Sequence, residues 1–328
     1  MASDSLLLAF KGIQMAKIVV MGAGIGGISQ VYELRKELGK EHEIVLLGDS
    51  DYFEFTPSNP WVAVGWRKEQ QIKVHLPDVM QKYGIEFSGV GVRRLHPGEN
   101  RIELNDDASI SYDYLVIATG PKLAFEEVEG LGPDGHTQSV CKTGHAGEAH
   151  VNFKKLVENP GPVIVGAAPM ASCFGPAYEY IFILDTELKK RKIRDKVEMH
   201  FVTPEPYIGH LGLDGVGDTK SMLESEMRDR HIHWTTNAKI TKVEDGKMHF
   251  TEVDDAGNDK KEHELEFKHS MVLPAFKGVD AVMDIEGLTN PRGFILIDEF
   301  QRNPKYQNIF AVGVCVAIPP VNATPIAT

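Results

Sequence analysis

Long hydrophobic runs are absent from this sequence, since no segment reaches the ~18 apolar residues that a membrane-spanning helix needs. Cysteine is scarce, and its three copies do not fit the disulfide framework of a secreted domain. Positive charge is in deficit: the net charge of −12 argues against a nucleic-acid partner. The N-terminal LLLAF has no basic flank and no small-residue cleavage site, so no signal peptide is predicted.

The chain is long enough for two domains, at 328 residues. Its composition is that of a globular protein, with 42% hydrophobic and 25% charged residues. The residues before Met15 are predicted to be a dispensable extension, because the strand-like run AKIVVMGAG begins directly after it.

A glycine-rich turn follows this first predicted strand. Gly22, Gly24 and Gly27 have the spacing G-x-G-x-x-G. In that pattern the first glycine allows a tight turn, the second lets the backbone approach a pyrophosphate, and the third permits close helix–strand packing. A helix at Ile28–Leu38 and a strand at Glu43–Leu47 complete the context. The pattern predicts a dinucleotide site.

The acidic residue that would hold a ribose hydroxyl is expected about 20 residues later. The second strand ends at Gly48 instead, and Asp49 follows as the substitute candidate. Two interpretations stay open. Either Asp49 binds the ribose, or Asp49 is a solvated loop residue and the main chain holds the ribose.

The opening turn has a second, altered copy. PVIVGAA, beginning at Pro162, repeats KIVVMGAG and implies a second nucleotide-fold unit. Alanine and proline then take the glycine positions, where they would crowd a pyrophosphate and remove an N–H donor. The sequence therefore predicts no pyridine nucleotide there. Cys173 stands instead at the head of the next helix, whose dipole is expected to favour a thiolate.

Other titratable residues accompany the cysteines. His145 is four residues beyond Cys141, a spacing that can place both on one helix face. The alternative is a small buried cysteine near an unrelated histidine. Glu179 is either a buried carboxylate or a salt-bridge partner, and His210 is a titratable candidate in the loop PEPYIGHLG.

The aromatic segment Asp51–Trp66 has no clean period. It could line a flat ring system, whereas Trp61 and Trp66 taken singly are more typical of core or interface residues. The remaining predicted elements are a helix at Ser221–Arg230, a solvated hairpin turn at Asp254–Glu264, and strands at Tyr83–Val92, Arg101–Leu104, Tyr112–Gly120, Val197–Thr203, Ile232–Trp234, Ala238–Val243, Lys247–Glu252, Met271–Phe276, Gly293–Asp298 and Asn308–Val314.

Several long stretches resemble the sulfide:quinone oxidoreductases, a branch of the flavin disulfide reductase superfamily. They are DYFEFTPSNPWVAVGW, YDYLVIATGPKLAF, QSVC, AASCFGPAYEY, EPYIGHLG, PAFKGV and NIFAVGVCVAIPPVNATP. The resemblance runs from about Met15 to Thr328. It implies an α/β fold with two Rossmann-like dinucleotide-binding domains of the FAD-dependent disulfide reductase type, with the C-terminal domain missing. The expected boundaries are 15–125 plus 290–328 for the FAD-binding domain and 126–289 for the domain with the redox cysteines.

The resemblance also implies roles for matched residues. The implied cofactor is FAD, and its implied contacts are Gly22, Ala23, Gly24, Ile25, Gly26, Gly48, Asp49, Thr119, Gly120, Gly313 and Val314. Cys173 matches a redox cysteine that takes up sulfane sulfur, and Cys141 matches a second family cysteine. Glu179, His145 and His210 match acid–base candidates, whereas Cys315 is expected to be a packing thiol. No metal is expected.

The implied reaction is oxidation of hydrogen sulfide to polysulfide, with the electrons passed through FAD to a membrane quinone. In the family, the redox partner of Cys173 and the amphipathic membrane helices belong to a C-terminal region beyond Thr328. The expected location is therefore the periphery of a bacterial inner membrane. A second copy of the chain is a further candidate partner.

Two other functions stay open at this stage. The flavoprotein subunit of flavocytochrome c sulfide dehydrogenase is one, although that protein is exported and no signal peptide is visible here. A non-catalytic fragment that binds flavin or sulfide is the other. A type II NADH dehydrogenase shares the fold, but the altered second glycine motif and the cysteines argue against it.

Overall fold

The computed structural model describes residues 15–254 and 256–318, which divide into two compact units. The first unit contains residues 15–53, Val74–Lys122 and Lys277–Ile318. The second contains Glu54–Lys73 and Leu123–Phe276, apart from residue 255. The predicted extension at residues 1–14 and the C-terminal PPVNATPIAT lie outside the described residues. No helix within the described ranges is long and apolar enough to cross a membrane.

These units differ from the predicted boundaries in two places. The segment Glu54–Lys73, predicted to lie in the first domain, packs with the second unit. Val62 and Ile72 are buried in a core cluster of that unit. The chain returns to the first unit at Lys277 instead of residue 290, because Val282 and Leu288 are buried in a core cluster of the first unit.

Nineteen strands and six helices are described. The strands are β1 (Lys17–Met21), β2 (Glu43–Leu47), β3 (Tyr52–Glu54), β4 (Lys73–His75), β5 (Glu86–Ser88), β6 (Val92–His96), β7 (Arg101–Leu104), β8 (Ser109–Ser111), β9 (Tyr114–Ile117), β10 (Lys122–Ala124), β11 (Val163–Ala167), β12 (Met199–Val202), β13 (Ile232–Thr235), β14 (Ala238–Glu244), β15 (Lys247–Val253), β16 (Asp259–Glu266), β17 (His269–Leu273), β18 (Ala275–Lys277) and β19 (Ile309–Ala311). The helices are α1 (Ile25–Leu38), α2 (Asn59–Ala63), α3 (Leu76–Lys82), α4 (Thr143–Glu158), α5 (Gly175–Lys190) and α6 (Thr219–Asp229).

A five-stranded parallel sheet is the centre of the first unit, in the order β19-β9-β1-β2-β5. After their first residue, β1, β2 and β9 are apolar and buried, as expected for parallel strands covered on both faces, whereas the edge strand β5 has no buried residue. Alternate residues of β1 supply two separate cores: Val19 and Met21 belong to one cluster and Val20 to the other. A small antiparallel sheet, β6-β7-β8, completes this unit.

The second unit has its own parallel sheet, in the order β13-β12-β11-β17. In its register Val165 lies between Phe201 and Met271, and all three are buried. An antiparallel sheet, β14-β15-β16, adds a second layer of strands. Two parallel α/β units in one chain confirm the predicted fold class.

Three predicted elements are wrong in detail. Asp254–Glu264 is not a turn throughout, because residues from Asp259 onward form β16 and pair with β15. The predicted strand Gly293–Asp298 forms only isolated bridges through Ile295. Tyr83–Val92 is interrupted: β5 covers only its middle, after a turn at Gly84 with φ +62°.

Candidate active site

Four loops of the first unit follow the carboxyl ends of β1, β2, β9 and β19. These strands run parallel in one sheet, so their loops lie along the same edge, where α/β folds bind ligands. Every predicted cofactor residue lies in these loops or at the start of α1: Gly22, Ala23 and Gly24 after β1, Ile25 and Gly26 in the first turn of α1, Gly48 and Asp49 after β2, Thr119 and Gly120 after β9, and Gly313 and Val314 after β19.

The loop after β1 leads into α1 without a side-chain cap. Gly22 has φ +118°, and its N–H donates to the carbonyl oxygen of Leu47 at 2.8 Å. A Cβ at Gly22 would overlap the carbonyl group of Ala118. Gly24 is the N-cap residue of α1, and a Cβ there would meet open space. The first N–H groups of α1 are therefore left for a ligand, an arrangement suited to a phosphate.

Gly26 lies where three of these loops meet. A Cβ at Gly26 would be 3.8 Å from the Cβ of Ala118 and 3.8 Å from the Cγ2 of Val312. Ala118 directly precedes Thr119, and Val312 directly precedes Gly313, whose φ is +80°. The structure therefore brings the predicted cofactor segments after β1, β9 and β19 together.

Two apolar side chains are exposed at this edge. Ile25 and Val314 are each 52% exposed, although both are aliphatic. Asp49 is also exposed, directly after the buried Gly48.

Cys315 was predicted to be a packing thiol, and it is 2% exposed. Its Sγ is also within hydrogen-bond distance of two carbonyl oxygens, at 3.3 Å from Ile117 and 3.2 Å from Val312. The thiol therefore links the end of β9 to the turn that follows β19.

The second unit carries the other two cysteines. Cys173 is exposed and lies two residues before α5, after a turn in which Met170 has φ +61°. Cys141 is half-buried and lies two residues before α4. Both thiols are free, and they are close enough for the charge of Cys173 to raise the pKa of Cys141. The structure therefore places the two predicted redox cysteines near each other.

Neither thiol has the surroundings predicted for a thiolate. Burial raises the pKa of Cys141 to about 11, and a hydrogen bond with Ser139 opposes that shift only in part. Loss of hydration also raises the pKa of Cys173. The dipole of α5 was predicted to favour a thiolate at Cys173, but the pKa of this thiol shifts in the opposite direction because loss of hydration dominates.

The interpretation that Cys141 and His145 share one helix face is also wrong, because α4 begins only at Thr143 and Cys141 lies outside it. His145 lies in the first turn of α4, with its ring edge-on to Phe125 at 6.0 Å between centroids. Burial, followed by the charge of Lys142, lowers the pKa of His145. Its Nδ1 is buried without a hydrogen-bond partner among the described residues.

Glu179 lies on the exposed side of α5, and it contacts a tryptophan. Loss of hydration raises the pKa of Glu179, and a hydrogen bond from Trp61 opposes that shift. Trp66 donates its indole N–H to Glu187 of the same helix at 2.7 Å. Both tryptophans pack against the core of this unit, which supports the interpretation of core residues over that of a ring-lining segment.

His210 is 1% exposed in the loop after β12. Its Nδ1 accepts the N–H of Gly212 at 3.1 Å, so Nε2 carries the proton. That Nε2 has no hydrogen-bond partner among the described residues, and Asp214 Oδ1 lies 3.8 Å away. No hydrogen bond joins His145 or His210 to either thiol within the part of the chain that the structure describes.

The sequence analysis missed Glu205, which is fully buried beside this loop. Its carboxyl group accepts hydrogen bonds from Tyr178, Thr203 and the N–H of Leu211. The sequence did contain a signal for this residue, because Glu205 is a charged residue between two prolines that follow a buried strand. A carboxyl group so placed must be buried with hydrogen-bond donors or lie in solvent.

Comparisons with known proteins agree with this geometry. The family model "Pyridine nucleotide-disulphide oxidoreductase" matches residues 16–326. The sulfide-quinone reductase of Aquifex aeolicus is 42% identical over 317 residues, covering 96% of this chain and 72% of that protein. The mitochondrial sulfide:quinone oxidoreductase of Mus musculus is 24% identical, covering 92% of this chain and 66% of its own length.

Solved structures give the same result. The X-ray structure of the sulfide:quinone oxidoreductase from Aquifex aeolicus matches with a TM-score of 0.89 over 95% of this chain and 71% of that one. The NDH2 of Plasmodium falciparum in complex with NADH matches with a TM-score of 0.74 at 16% identity, which shows the shared fold. The chain therefore belongs to the pyridine nucleotide-disulphide oxidoreductase family and, within it, to the sulfide-quinone reductases.

Proposed function

We propose that this chain oxidises hydrogen sulfide to sulfane sulfur or polysulfide and passes the electrons through FAD to a quinone. The single observation that supports this most directly is the exposed Cys173 near Cys141. Cys173 follows the altered glycine motif, which runs from Gly166 to Ala171, and Cys141 lies just before α4 of the same unit. The names of the relatives state both substrates, sulfide and quinone.

FAD is the cofactor of this family, and the loops of the first unit fit it. The open space at Gly24 and the uncapped start of α1 suit a pyrophosphate. The exposed Ile25 and Val314 offer apolar surface to a flat ring. We therefore assign FAD binding to the first unit and the redox cysteines to the second.

Bound FAD supplies a two-electron acceptor that a quinone can reoxidise. The role of this chain is to hold the Cys173 sulfur where the substrate can react with it. Hydrosulfide attacks a disulfide or polysulfide that includes the Cys173 sulfur, and a new S–S bond forms to the substrate. The old S–S bond breaks, and its electron pair leaves on a thiolate. The exposed turn before α5 gives the substrate access to Cys173.

Proton transfer is assigned to Glu179, His145 and His210. Formation of hydrosulfide releases one proton, and a group with a pKa near neutrality is the best acceptor. Loss of hydration raises the pKa of Glu179 toward that range. Burial lowers the pKa of His145, which favours the neutral imidazole, and its Nδ1 has no hydrogen-bond partner among the described residues. His210 offers an Nε2–H donor to an anion.

Attachment to the periphery of a bacterial inner membrane is a further part of this proposal, because quinones are dissolved in the bilayer. The complete protein is expected to float with vesicles of bacterial lipid, and a failure to do so would contradict this part. We also propose that two copies of the chain associate. Light scattering, which measures the molar mass in solution, tests this proposal.

The decisive experiment mixes the flavin-loaded protein with sulfide in the absence of oxygen. Sulfide is expected to bleach the flavin absorbance, and Cys173→Ala is expected to slow bleaching by about 100-fold or more because the disulfide or polysulfide that hydrosulfide attacks can no longer form at this position. The matched control is Ser172→Ala, which changes the neighbouring exposed residue. A quinone analogue added afterwards is expected to restore the absorbance.

Two results would contradict the proposal. One is bleaching of the Cys173→Ala variant as fast as the wild type. The other is bleaching without reoxidation by quinone, which would favour a sulfide-binding flavoprotein. NADH is expected to leave the flavin oxidised, because alanine and proline replace the glycines of the second motif.

A further inference from the structure

The loop between β12 and α6 has an unusual backbone. Residues in the left-handed region of φ recur along it: Gly209 (+84°), Leu211 (+58°), Gly212 (+76°), Asp214 (+61°), Gly215 (+80°) and Gly217 (+57°). Leucine, unlike glycine and aspartate, adopts this conformation only when its surroundings hold it. The loop contains His210, so the contacts that hold it also determine where that imidazole lies.

A single buried carboxyl group supplies the main anchor. Glu205 is fully buried, and its Oε2 accepts the hydroxyls of Tyr178 at 2.8 Å and Thr203 at 2.7 Å. Its Oε1 accepts the N–H of Leu211 at 2.7 Å. The three donors come from α5, from the end of β12 and from the loop itself.

The directions of these bonds fit a carboxylate. Tyr178 accepts the N–H of Gly209 at 2.9 Å, so its own proton is free to go to Glu205. Thr203 accepts the N–H of Glu205 and likewise donates its proton to the carboxyl group. The N–H of Leu211 can only donate. Every partner therefore acts as a donor, and Glu205 acts as the acceptor.

His210 is held from both sides by this network. The N–H of the residue before it, Gly209, is bound by Tyr178, and the N–H of the residue after it, Leu211, is bound by Glu205. The next N–H, of Gly212, fixes the imidazole tautomer by donating to Nδ1. What remains is a buried Nε2–H without a hydrogen-bond partner among the described residues; the carboxyl group that faces it is that of Asp214, with Oδ1 at 3.8 Å.

We propose that Glu205 is the positioning residue of His210, acting through the backbone on both sides of it to hold the Nε2–H ready for an anionic sulfur species. The ligand class rests on the proposed function, because hydrosulfide is the anion that the sulfide reaction supplies. Glu205 itself does not touch the substrate. Its role is to keep one tautomer and one direction of the imidazole.

The test uses Glu205→Gln in the full flavin-loaded protein. Glutamine keeps the size of the side chain, but its NH₂ must face either the N–H of Leu211 or the two hydroxyls, so one bond at least is lost. The matched control is Glu198→Gln, the same substitution at an exposed position before β12. Nitrogen-15 NMR of labelled histidines reports the tautomer and titration of His210, which is assigned by comparison with His210→Gln.

In Glu205→Gln, the tautomer signal of His210 is expected to change. Bleaching of the flavin by sulfide is expected to be about 10- to 100-fold slower in this variant, with an altered pH profile. In Glu198→Gln, neither the signal nor the bleaching is expected to change. An unchanged His210 signal would overturn the proposal, whatever the rate. A changed signal with normal bleaching in both Glu205→Gln and His210→Gln would support the positioning role and contradict the acid–base role of His210. If Glu205→Gln does not fold, Tyr178→Phe removes one donor and gives the same readout.

Discussion

At the scale of single residues, the three glycines of the first turn differ in what limits them. Gly22 is limited by its backbone, since φ is +118°. Gly27 is limited by packing, because a Cβ there would overlap the carbonyl oxygen of Gly22. Gly24 has an ordinary φ of −82° and open space around it. Packing within the protein therefore does not require glycine at Gly24; its position as the N-cap favours glycine modestly, and close approach of a pyrophosphate is a further reason.

This difference predicts opposite results for two substitutions. Gly24→Ala is expected to cost less than about 1 kcal/mol of unfolding free energy and to reduce the flavin content of the purified protein. Gly27→Ala is expected to cost about 1 to 3 kcal/mol because the helix must move away from β1. Flavin absorbance and urea unfolding measure the two effects separately. Full flavin content in a stable Gly24→Ala protein would contradict the assigned pyrophosphate site.

At the scale of elements, α5 organises the second unit. Its N-terminal end follows Cys173, and Tyr178, its fourth residue, binds Glu205. Further along, Asp185 is 1% exposed and is surrounded by cations: Lys189 at 2.8 Å, Arg194 at 2.7 Å and Arg230 at 3.5 Å. Arg230 follows α6, so the carboxylate ties α5 to the end of that helix.

Removal of this carboxylate is expected to destabilise the protein strongly. Asp185→Ala leaves Arg194, which is 15% exposed, without its counter-charge, and the expected cost is about 3 to 5 kcal/mol. Asp195→Ala, at an exposed neighbouring position, is the control and is expected to cost about 0.5 kcal/mol or less. Urea unfolding of the two variants measures the difference. Equal midpoints would show that Asp185 does not hold the helices together.

Sequence patterns predicted the elements that depend on local signals. The strands Glu43–Leu47 and Arg101–Leu104 were predicted residue for residue, and the glycine spacing located the start of α1 within three residues. The network of Glu205 could not be predicted, because Tyr178 is 27 residues away in the sequence. The pKa of Cys173 was predicted in the wrong direction, since loss of hydration depends on neighbours that only the fold brings together. The strand β16 was missed because its charged residues resemble those of a solvated turn.

At the scale of the whole molecule, buried histidines connect stability to pH. Burial lowers the pKa of His269 to about 4, and its ring is held between Tyr180 at 2.7 Å and Asn152. Burial, with the charges of His233 and His263, lowers the pKa of His200 to about 4. The folded protein keeps both rings neutral at a pH at which the unfolded chain protonates them.

Stability is therefore expected to fall as the pH falls from 6.5 to 4. Unfolding takes up about two protons in this window from these rings, and their contribution is fully present above pH 6.5. Urea unfolding at a series of pH values measures the slope. His200→Gln is expected to reduce it by about one proton, whereas His136→Gln, at an exposed position, is expected to leave it unchanged. A slope insensitive to His200→Gln would contradict this account.

The division of the first unit into three segments has a consequence for synthesis on the ribosome. The second unit takes all of its described residues from before Lys277, so it can fold while the rest of the first unit is still being translated. Strand β9 has β1 on one side and must wait for residues 309–311 to supply β19 on the other. Until then its outer edge is an unpaired row of backbone groups in the nascent chain, open to pairing with another polypeptide.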